Sequence, residues 1–387
     1  MLSLHPFLEV LQRIVFEKNR MKVVFLLTAH AADDDRVWYH QAQSLLHHNC
    51  EVAIIAPRAG NLSTQSVQVY SPESMSRRQL MRHLADLLVA HRPDVVIGDT
   101  PMALRGASIY KQKSHSSCRI LYDVTEWYPS KKNVRNHGPI SSLFKRIILH
   151  LFNIYVNFHT DGFVFGEKYK SLPFRRMFPR KPYVYVSYYP ELNYIPSSQP
   201  RNLQHEVRLF YSGPLTEEKG FPYVLASAAK VARRHPDWKV NMKVLTAEQP
   251  HLPADLPANL SLDISPYLPF EQFCQTLSEQ DIFLDLRSTD RENRKCLPIK
   301  LFYYMAAGRP VVYSNLDAIE DGCPEISQIG FLVNPQHEDR VADIVEQYVM
   351  NPEMYHQHCE TARQLAEQKY QWKAIEADFV RFILRHE

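Results

Sequence analysis

Short, nearly continuous apolar runs alternate with longer stretches whose apolar residues recur at helical spacing. In the first half, the apolar runs are residues 21–28, 51–56, 67–70, 93–98, 119–123, 161–165 and 183–187. Helical spacing is found in residues 36–48, 76–91 and 141–159. Apolar strands separated by helices are typical of a parallel sheet that is covered on both faces. The first half therefore predicts a Rossmann-like domain.

A second alternation of strands and helices begins after residue 206, with strands expected at 207–211, 238–245, 282–286, 310–313 and 331–333. Between the two alternations, Pro190, Pro196 and Pro200 indicate an interdomain linker. We predict an N-terminal helical extension (1–20), a first domain (21–190), a linker (191–205), a second domain (206–369) and a C-terminal helix (370–387) that crosses back to the first domain. The predicted fold class is α/β, with two Rossmann-like, doubly wound parallel-sheet domains facing a cleft.

Composition narrows the class of protein. The 387 residues carry a formal net charge of +3, with 22% charged and 45% hydrophobic residues, which excludes disordered and collagen-like chains. The six cysteines form no C-x-x-C pair and are expected to be reduced thiols of a cytoplasmic protein. No apolar run approaches the ~20 residues of a spanning helix. His5, Glu9 and Arg13 interrupt the apolar N-terminal stretch, so we expect no signal peptide and a fold that begins at Met21.

The first motif with chemical content is the strand and turn of residues 209–220, in which Gly213 is followed by Lys219 and Gly220. Backbone N–H groups and the dipole at a helix start favour an anion, and Lys219 adds a full positive charge. A diphosphate would suit this site. A plain strand–helix turn with a solvated lysine is an equally good interpretation of the spacing alone.

The second motif spans residues 294–312. Pro298 is typical of a first helical turn, and Gly308 is typical of a helix end before the next strand. A cationic loop followed by a helix start indicates another anion site, with Lys300 as its side chain. We interpret Leu301, Met305 and Ala306 as core residues.

Together these motifs resemble the donor-binding half of family 4 glycosyltransferases with the GT-B fold. The first half agrees through Asp35-Arg-Val37 and through residues 121–126, which resemble that family's Y-D-x-H-E segment. Tyr370-Gln-Trp372 resembles its closing segment. The resemblance covers nearly everything from Met21 onward.

The resemblance implies a glycosyltransferase that moves a sugar from a nucleotide-activated donor to a saccharide or lipid-linked acceptor, in surface polysaccharide or glycolipid synthesis. The nucleotide sugar is a substrate, and no cofactor is expected. The expected donor contacts are Gly213, Lys219, Gly220, Arg287, Lys295, Leu297, Pro298, Ile299, Lys300 and Tyr303. The expected acceptor-side residues are His30, Arg36, Thr125 and Tyr128. We assign Asp123 and Glu126 as the catalytic candidates.

The resemblance also implies retention of anomeric configuration, because the leaving phosphate can itself help to deprotonate the acceptor. No Asp-x-Asp segment follows a strand together with further ligands, so basic side chains and helix dipoles should neutralise the diphosphate without a metal. Asp33, Asp34 and Asp35 are interpreted as negative charges at a helix N-terminus, with Arg36 as a partner for one of them.

The sequence departs from the family pattern. The paired glutamates fall at Lys295 and Tyr303, Pro214 replaces an arginine, and Thr125 replaces a histidine. Either the donor is recognised differently, with Arg287, Arg294 and Lys295 reading a further negative group, or activity is lost. The alternatives are a nucleotide-sugar epimerase of the same architecture and a non-catalytic sugar-nucleotide binder in a polysaccharide-assembly complex. Asp123 and Glu126 have an alternative role as turn caps or as salt-bridge partners of Lys131 or Lys132.

Cations interleaved with bulky apolar residues are found between Lys168 and Lys181, including Phe174 and Phe178. Further cations precede this segment at Lys131, Lys132, Arg135, Lys145 and Arg146. Such a surface suits an anionic bilayer, so we expect a cytoplasmic protein, peripheral at the inner face of the membrane. An ordinary solvated face is the alternative, and no nucleic-acid partner is expected.

Overall fold

The computed structural model describes residues 20–73, 75–126, 128–130, 133–134 and 138–385. The chain divides into two compact units. The first unit contains the residues up to Ser187 and those from Ile375 onward, and the second contains Tyr188–Ala374. The extension expected at residues 1–20 lies outside the described residues except for Arg20. Lys131, Lys132 and Arg135 also lie outside them.

The first unit is built on a parallel sheet of seven strands in the order β3-β2-β1-β4-β5-β6-β7. These strands are β1 (Lys22–Leu26), β2 (Glu51–Ala56), β3 (Val67–Val69), β4 (Val95–Gly98), β5 (Arg119–Val124), β6 (Gly162–Phe165) and β7 (Tyr183–Tyr185). A π-helical segment (Asp35–Ala42) leads into α1 (Gln43–His47). The remaining helices before residue 188 are α2 (Arg77–His91), α3 (Pro101–Lys113), α4 (Pro139–Phe158) and α5 (Lys168–Met177).

The second unit is built on a parallel sheet of six strands in the order β10-β9-β8-β11-β12-β13. These strands are β8 (Glu206–Ser212), β9 (Lys239–Leu245), β10 (Leu260–Ser265), β11 (Ile282–Asp285), β12 (Val311–Ser314) and β13 (Gly330–Val333). The helices that follow are α6 (Phe221–Arg234), α7 (Phe270–Ser278), α8 (Ile299–Ala306), α9 (Asp317–Gly322), α10 (Glu338–Met350), α11 (Pro352–Gln368) and α12 (Lys373–Leu384).

In both sheets the strand order reverses about the first strand. Right-handed crossovers then place the helices before the reversal and those after it on opposite faces of the sheet, which is the doubly wound arrangement. The prediction of two parallel α/β domains is therefore confirmed. Among the described residues, no helix is long and apolar enough to cross a membrane.

The helix after β11 packs through aromatic and aliphatic side chains. The ring of Tyr304 on α8 stacks on that of Phe283 on β11, with centroids 4.0 Å apart. Leu301, Met305 and Ala306 are fully buried, so their interpretation as core residues is confirmed. This packing fixes where α8 begins, and hence where Lys300 lies.

The expected membrane surface between Lys168 and Lys181 has internal aromatic side chains and exposed cations. Phe174 and Phe178 are only 6% and 7% exposed, and both contact the ring of Phe163 on β6. Lys170 is also buried, with its ammonium 2.5 Å from the carboxylate of Glu167. Phe174 and Phe178 therefore belong to the core and cannot provide the apolar contacts expected of them. Arg175, Arg176 and Arg180 are exposed, so contact of these cations with a bilayer stays a prediction.

Arg119, at the start of β5, holds the end of the C-terminal helix α12 within the first unit. Its guanidinium donates to the carbonyl oxygens of Phe382, Ile383 and Arg385 at 3.2, 2.9 and 2.7 Å. Carbonyl groups in the last turn of a helix have no partner within the helix, so a cation is well placed there.

We predict that Arg119→Met weakens the attachment of α12, because it removes charge-assisted hydrogen bonds worth about 1–3 kcal/mol together. Amide hydrogen exchange of residues 375–384 should become faster than in the parent protein. Arg381→Met is the matched control, since Arg381 pairs at the surface with Asp378. Equal protection in Arg119→Met and the parent would contradict this role.

Candidate functional site

The candidate site residues follow the central strands of each sheet. In the first unit the order reverses between β1 and β4, and in the second between β8 and β11. Loops that leave two such strands turn to opposite faces of the sheet, so a crevice forms outside their carboxyl ends. Each unit therefore offers one candidate site, and the two are described separately.

In the second unit, the site is organised around Asp285 at the end of β11. Its buried carboxylate accepts two hydrogen bonds from Arg287, at 2.9 Å from Nε and 2.7 Å from Nη2. The ammonium of Lys300 lies 3.2 Å from the same carboxylate. Burial acts to raise the pKa of Asp285, but the charges of Arg287 and Lys300 hold it well below its usual range. The carboxylate is thus ionised at every physiological pH.

Lys300 connects the ends of β8 and β11. Its ammonium also donates to the carbonyl oxygen of Ser212, the last residue of β8. It lies 3.8 Å from the position that a Cβ on Gly213 would occupy, and its side chain is 27% exposed. Burial lowers the pKa of Lys300, and the charge of Asp285 opposes that shift. The ammonium is thus held between the ends of the two strands.

The turn between β8 and α6 brings Lys219 to the same crevice. The hydroxyl of Tyr211 donates to the carbonyl oxygens of Pro214 and Lys219, at 2.6 and 3.2 Å, and so fixes the turn. Gly220 has φ +83°, and a Cβ there would lie 2.0 Å from the carbonyl oxygen of Leu286. Only glycine permits this approach of the turn to the end of β11.

Two cations share the carboxylate of Asp285 in this crevice. Arg287 and Lys300 both pair with it, and the charge of Lys219 reaches Lys300, while the ammonium of Lys219 has the surface carboxylate of Glu218 at 3.2 Å. Paired cations that are already fixed in place need little reorganisation to receive a ligand. The arrangement can therefore bind an anion with two or more charges.

The other expected donor residues are more dispersed. Leu297 and Pro298 are buried, Ile299 begins α8 at the surface, and Lys295 is partly exposed in a short 3-10 turn. Arg294, which the sequence offered as a further cation, pairs with Asp317 at 2.6 Å.

Tyr303 does not lie with the cations. It is 2% exposed, and its ring packs edge-on against Phe270 at 6.1 Å and tilted against Phe273 at 6.2 Å. Contact of Tyr303 with the donor therefore stays a prediction. The family's glutamates are separated by seven residues, which places Tyr303 on α8, where the neighbouring aromatic rings hold its side chain inside the unit.

In the first unit, the loop after β1 wraps around Asp99, which follows β4. The carboxylate of Asp99 accepts hydrogen bonds from the backbone N–H groups of Thr28 and Ala29, both at 2.9 Å, and from Nδ1 of His30 at 3.2 Å. Burial lowers the pKa of His30, but the bond to Asp99 and the charges of Asp34 and Glu126 outweigh it and raise that pKa to about 9. At neutral pH His30 is therefore a cation.

Asp123, at the end of β5, is engaged in a buried ion pair. Arg36 donates to it from Nε at 3.0 Å and from Nη2 at 2.8 Å, and Gln41 donates at 2.8 Å. Arg36 also donates to the carbonyl oxygen of Val186 at 2.5 Å. This arrangement argues against proton transfer by Asp123, whose oxygens are occupied and only 4% of whose surface is exposed. Asp123 positions the π-helical segment instead.

The acidic run before that segment is correctly interpreted as helix-terminal charge. Asp34 is the N-cap and accepts from the N–H of Val37 at 3.3 Å. Burial and the charge of Asp35 raise the pKa of Asp34 to about 7. The guanidinium of Arg36 makes its two-pronged contact with Asp123, and its charge also acts on Asp34, where it opposes the rise of that pKa.

The remaining acceptor-side residues lie on the loop after β5. Glu126 is exposed, and its charge reaches His30. The carbonyl oxygen of Thr125 accepts from Lys170 at 2.5 Å, and that of Tyr128 accepts from Asn153 at 3.4 Å. The structure thus brings Glu126 and His30 toward one another, while Thr125 and Tyr128 contribute backbone contacts.

Sequence reasoning missed Asp99 and Asp285, on which the two sites depend. Each ends or directly follows an apolar strand next to the switch point of its sheet. That placement was a usable signal, because a carboxylate there can hold the loops or cations of a ligand site. Among the described residues, no group of three or more His, Cys, Asp or Glu side chains is arranged to hold a metal ion.

Comparison with known proteins places these sites in context. Residues 225–381 match the model of a family described as glycosyl transferase-like. No match was found among curated protein sequences. The resemblance inferred from the sequence is confirmed for the part of the second unit that the family model covers.

Solved structures match nearly the whole chain. Sucrose-phosphate synthase from Thermosynechococcus elongatus has a TM-score of 0.67 at 11% identity, over 94% of this chain and 98% of that chain. Anabaena Alr3699/HepE in complex with UDP and glucose has a TM-score of 0.67 at 13% identity, over 94% of this chain and 99% of that chain. WaaG, a glycosyltransferase involved in lipopolysaccharide biosynthesis, has a TM-score of 0.66 at 12% identity, over 95% of this chain and 100% of that chain. These similarities confirm the GT-B fold.

We predict that Asp285→Asn destabilises the second unit by about 3–5 kcal/mol, because it leaves two buried cations without their carboxylate. Hydrogen exchange of the β8 and β11 amides in urea would measure this. Asp263→Asn, which breaks the surface pair with Lys243, should cost no more than about 1 kcal/mol. Similar effects of the two variants would contradict the central role of Asp285.

We also predict that His30 titrates near pH 9 in the folded protein. Because this pKa lies above the unfolded value, the stabilisation is fully present below about pH 6.5 and is lost as the pH rises through about 9. NMR titration of the imidazole carbons would measure the midpoint. Asp99→Asn should lower it by more than about one pH unit, and a midpoint near 6.5 in the parent would contradict the cationic assignment.

Proposed function

We propose that this protein is a glycosyltransferase that moves a sugar from a nucleotide-activated donor to a saccharide or lipid-linked acceptor. The observation that carries the proposal is the surplus of positive charge around Asp285, at the switch point of the second sheet. Residues 225–381, which include Asp285, Arg287 and Lys300, match the model of the glycosyl transferase-like family. The HepE complex with UDP and glucose, which shares the fold, supports a nucleotide sugar as the donor.

The diphosphate of the donor would lie against Lys219 and Lys300, where the missing side chain of Gly213 leaves space. Asp285 holds Arg287 and Lys300 in position before the donor arrives. Negative charge increases on the leaving diphosphate as the bond to the sugar breaks, so fixed cations stabilise the transition state more than the ground state. Lys219 and Lys300 are thus the binding and charge-neutralising residues of the proposal.

The acceptor would bind the first unit near His30 and Glu126. A protonated His30 cannot accept a proton from the acceptor, and Asp123 is committed to Arg36. The proposal therefore assigns deprotonation of the acceptor to the leaving phosphate, with retention of anomeric configuration. Glu126, an exposed carboxylate beside His30, is then an acceptor-binding residue that orients a hydroxyl group.

The second candidate function is a non-catalytic sugar-nucleotide binder of a polysaccharide-assembly complex. It is favoured by Lys295 and Tyr303, which stand where the resembled family has glutamates, and by the buried position of Tyr303. Separate assays of donor hydrolysis and of sugar transfer distinguish the two functions. Nucleotide binding with neither reaction, across a panel of donors and acceptors, would favour the binder.

The role in surface polysaccharide or glycolipid synthesis is part of the same proposal. WaaG, which has this fold, is involved in lipopolysaccharide biosynthesis. A lipid-linked acceptor would place the protein at the inner face of a membrane as a peripheral protein. This location needs a lipid-binding surface other than the internal side chains of Lys170, Phe174 and Phe178.

We predict that Lys219→Ala weakens nucleoside diphosphate binding by about tenfold or more, because a charge-assisted contact to phosphate is lost. Isothermal titration calorimetry with a panel of nucleoside diphosphates would measure the affinity. Lys243→Ala is the matched control, since Lys243 lies in the same unit but pairs with Asp263 on the surface. Equal affinities of the two variants would remove Lys219 from the site.

We further predict that sugar transfer continues in excess EDTA, because side-chain cations neutralise the diphosphate. The initial rate should change by less than about twofold on chelation, as a metal that neutralised the leaving group would contribute far more. Loss of transfer in EDTA that is restored by magnesium or manganese would contradict the metal-independent site.

A further inference from the structure

The helix α4 carries the largest run of exposed apolar side chains in the described part of the chain. Eight apolar side chains are between 45% and 74% exposed. They are Ile140, Leu143, Phe144, Ile147, Ile148, Leu151, Tyr155 and Phe158. Isolated exposed apolar residues are ordinary, but a contiguous patch of this kind marks a binding surface. We call these eight residues the α4 face.

The α4 face is one continuous stripe. Its members recur at intervals of three or four residues along the helix, with Phe144 and Ile148 directly beside their neighbours, so they share one side. The opposite side packs into the first unit through Leu149, Asn153 and Val156, which are 7%, 4% and 1% exposed. The helix is therefore anchored by one side and presents the other along its full 20 residues.

The ionised side chains of α4 itself have one sign. Residues 139–158 contain Lys145 and Arg146 and no aspartate or glutamate. At the C-terminal end, the ring of Phe158 lies 5.2 Å from that of Phe178, and the ammonium of Lys181 donates to the carbonyl oxygens of Asn157 and Phe158. The face thus continues directly into the segment that carries the exposed Arg175, Arg176 and Arg180.

We propose that the α4 face lies in the interface of an anionic bilayer, with its apolar side chains among the acyl chains and its cations at the headgroups. An amphipathic helix with basic flanks has the composition that such a surface requires. The proposal goes beyond the transfer reaction and does not depend on it.

The test uses co-sedimentation of the full chain with vesicles of phosphatidylcholine and phosphatidylglycerol, and with phosphatidylcholine alone. The variant Phe144→Ser/Ile148→Ser/Leu151→Ser should reduce partitioning onto the anionic vesicles by at least about tenfold. The matched control is Val69→Ser/Val89→Ser/Met350→Ser, which removes three exposed apolar side chains outside the face. The control should partition as the parent does.

Two further measurements separate lipid from the other occupants. Phe144→Trp should show a blue-shifted emission only when anionic vesicles are added, since the new indole would enter the acyl region. Deleting residues 1–19 should leave partitioning intact. The proposal is overturned if the serine variant pellets with anionic vesicles as the parent does, or if the deletion abolishes vesicle binding. It is also overturned if the parent is a dimer, the serine variant is a monomer, and neither of them binds vesicles.

Nucleoside diphosphate affinity, measured on the same variants, keeps this inference apart from the proposed function. The donor site lies in the second unit, so the serine variant should bind nucleotide as the parent does. Vesicle binding without nucleotide binding would support the α4 face and count against the transferase. Nucleotide binding without vesicle binding would support the donor site and contradict the α4 face.

Discussion

The second unit depends on one buried carboxylate with two cations. Asp285 ends the central strand β11, where it is removed from water and must be paired to remain ionised. Arg287, two residues later, and Lys300, from the next helix, provide that pairing. The same contacts hold the loop after β11 and the start of α8 against the end of β8. The same three residues therefore meet a structural requirement and form the proposed anion site.

The first unit meets a similar requirement in a different way. Asp99 is satisfied mainly by backbone N–H groups of the loop after β1, and Asp123 by Arg36 and Gln41 of the following segment. Both carboxylates fix loops at the carboxyl edge of their sheet. The cations that pair with these carboxylates differ in exposure. His30, held beside Asp99, stays protonated and partly exposed, whereas Arg36 is buried beside Asp123. Of these two cations, only His30 can contact an acceptor directly.

Much of the architecture could be predicted because a strand buried on both faces and an amphipathic helix have different periods. The turn containing Gly213, Lys219 and Gly220 was also readable, since a glycine with positive φ and a lysine at a helix start are local features. The partner of a carboxylate is not local. Asp123 finds Arg36 far along the chain, and no spacing rule connects them. Asp285 was missed because its role depends on the ion pair with Lys300, which belongs to another element.

The sequence also did not show which side of a helix faces the core and which faces solvent. Phe174 and Phe178 suggested an outer surface and are internal, while Phe144 and Leu151, in a segment known from the sequence only by its helical spacing, are exposed. Helical spacing identifies a common side but not its neighbour. Tyr303 shows the same effect, because family spacing placed it on α8 near the donor and the rings of Phe270 and Phe273 enclose it.

The central claim is that the cations around Asp285 receive the diphosphate of a nucleotide sugar. A crystal structure of the protein with a bound nucleoside diphosphate tests it most directly. The account predicts phosphate oxygens within hydrogen-bonding distance of the ammonium groups of Lys219 and Lys300, beside Gly213, with the Asp285–Arg287 pair intact. A diphosphate bound elsewhere, with both lysines turned away from it, would contradict the account.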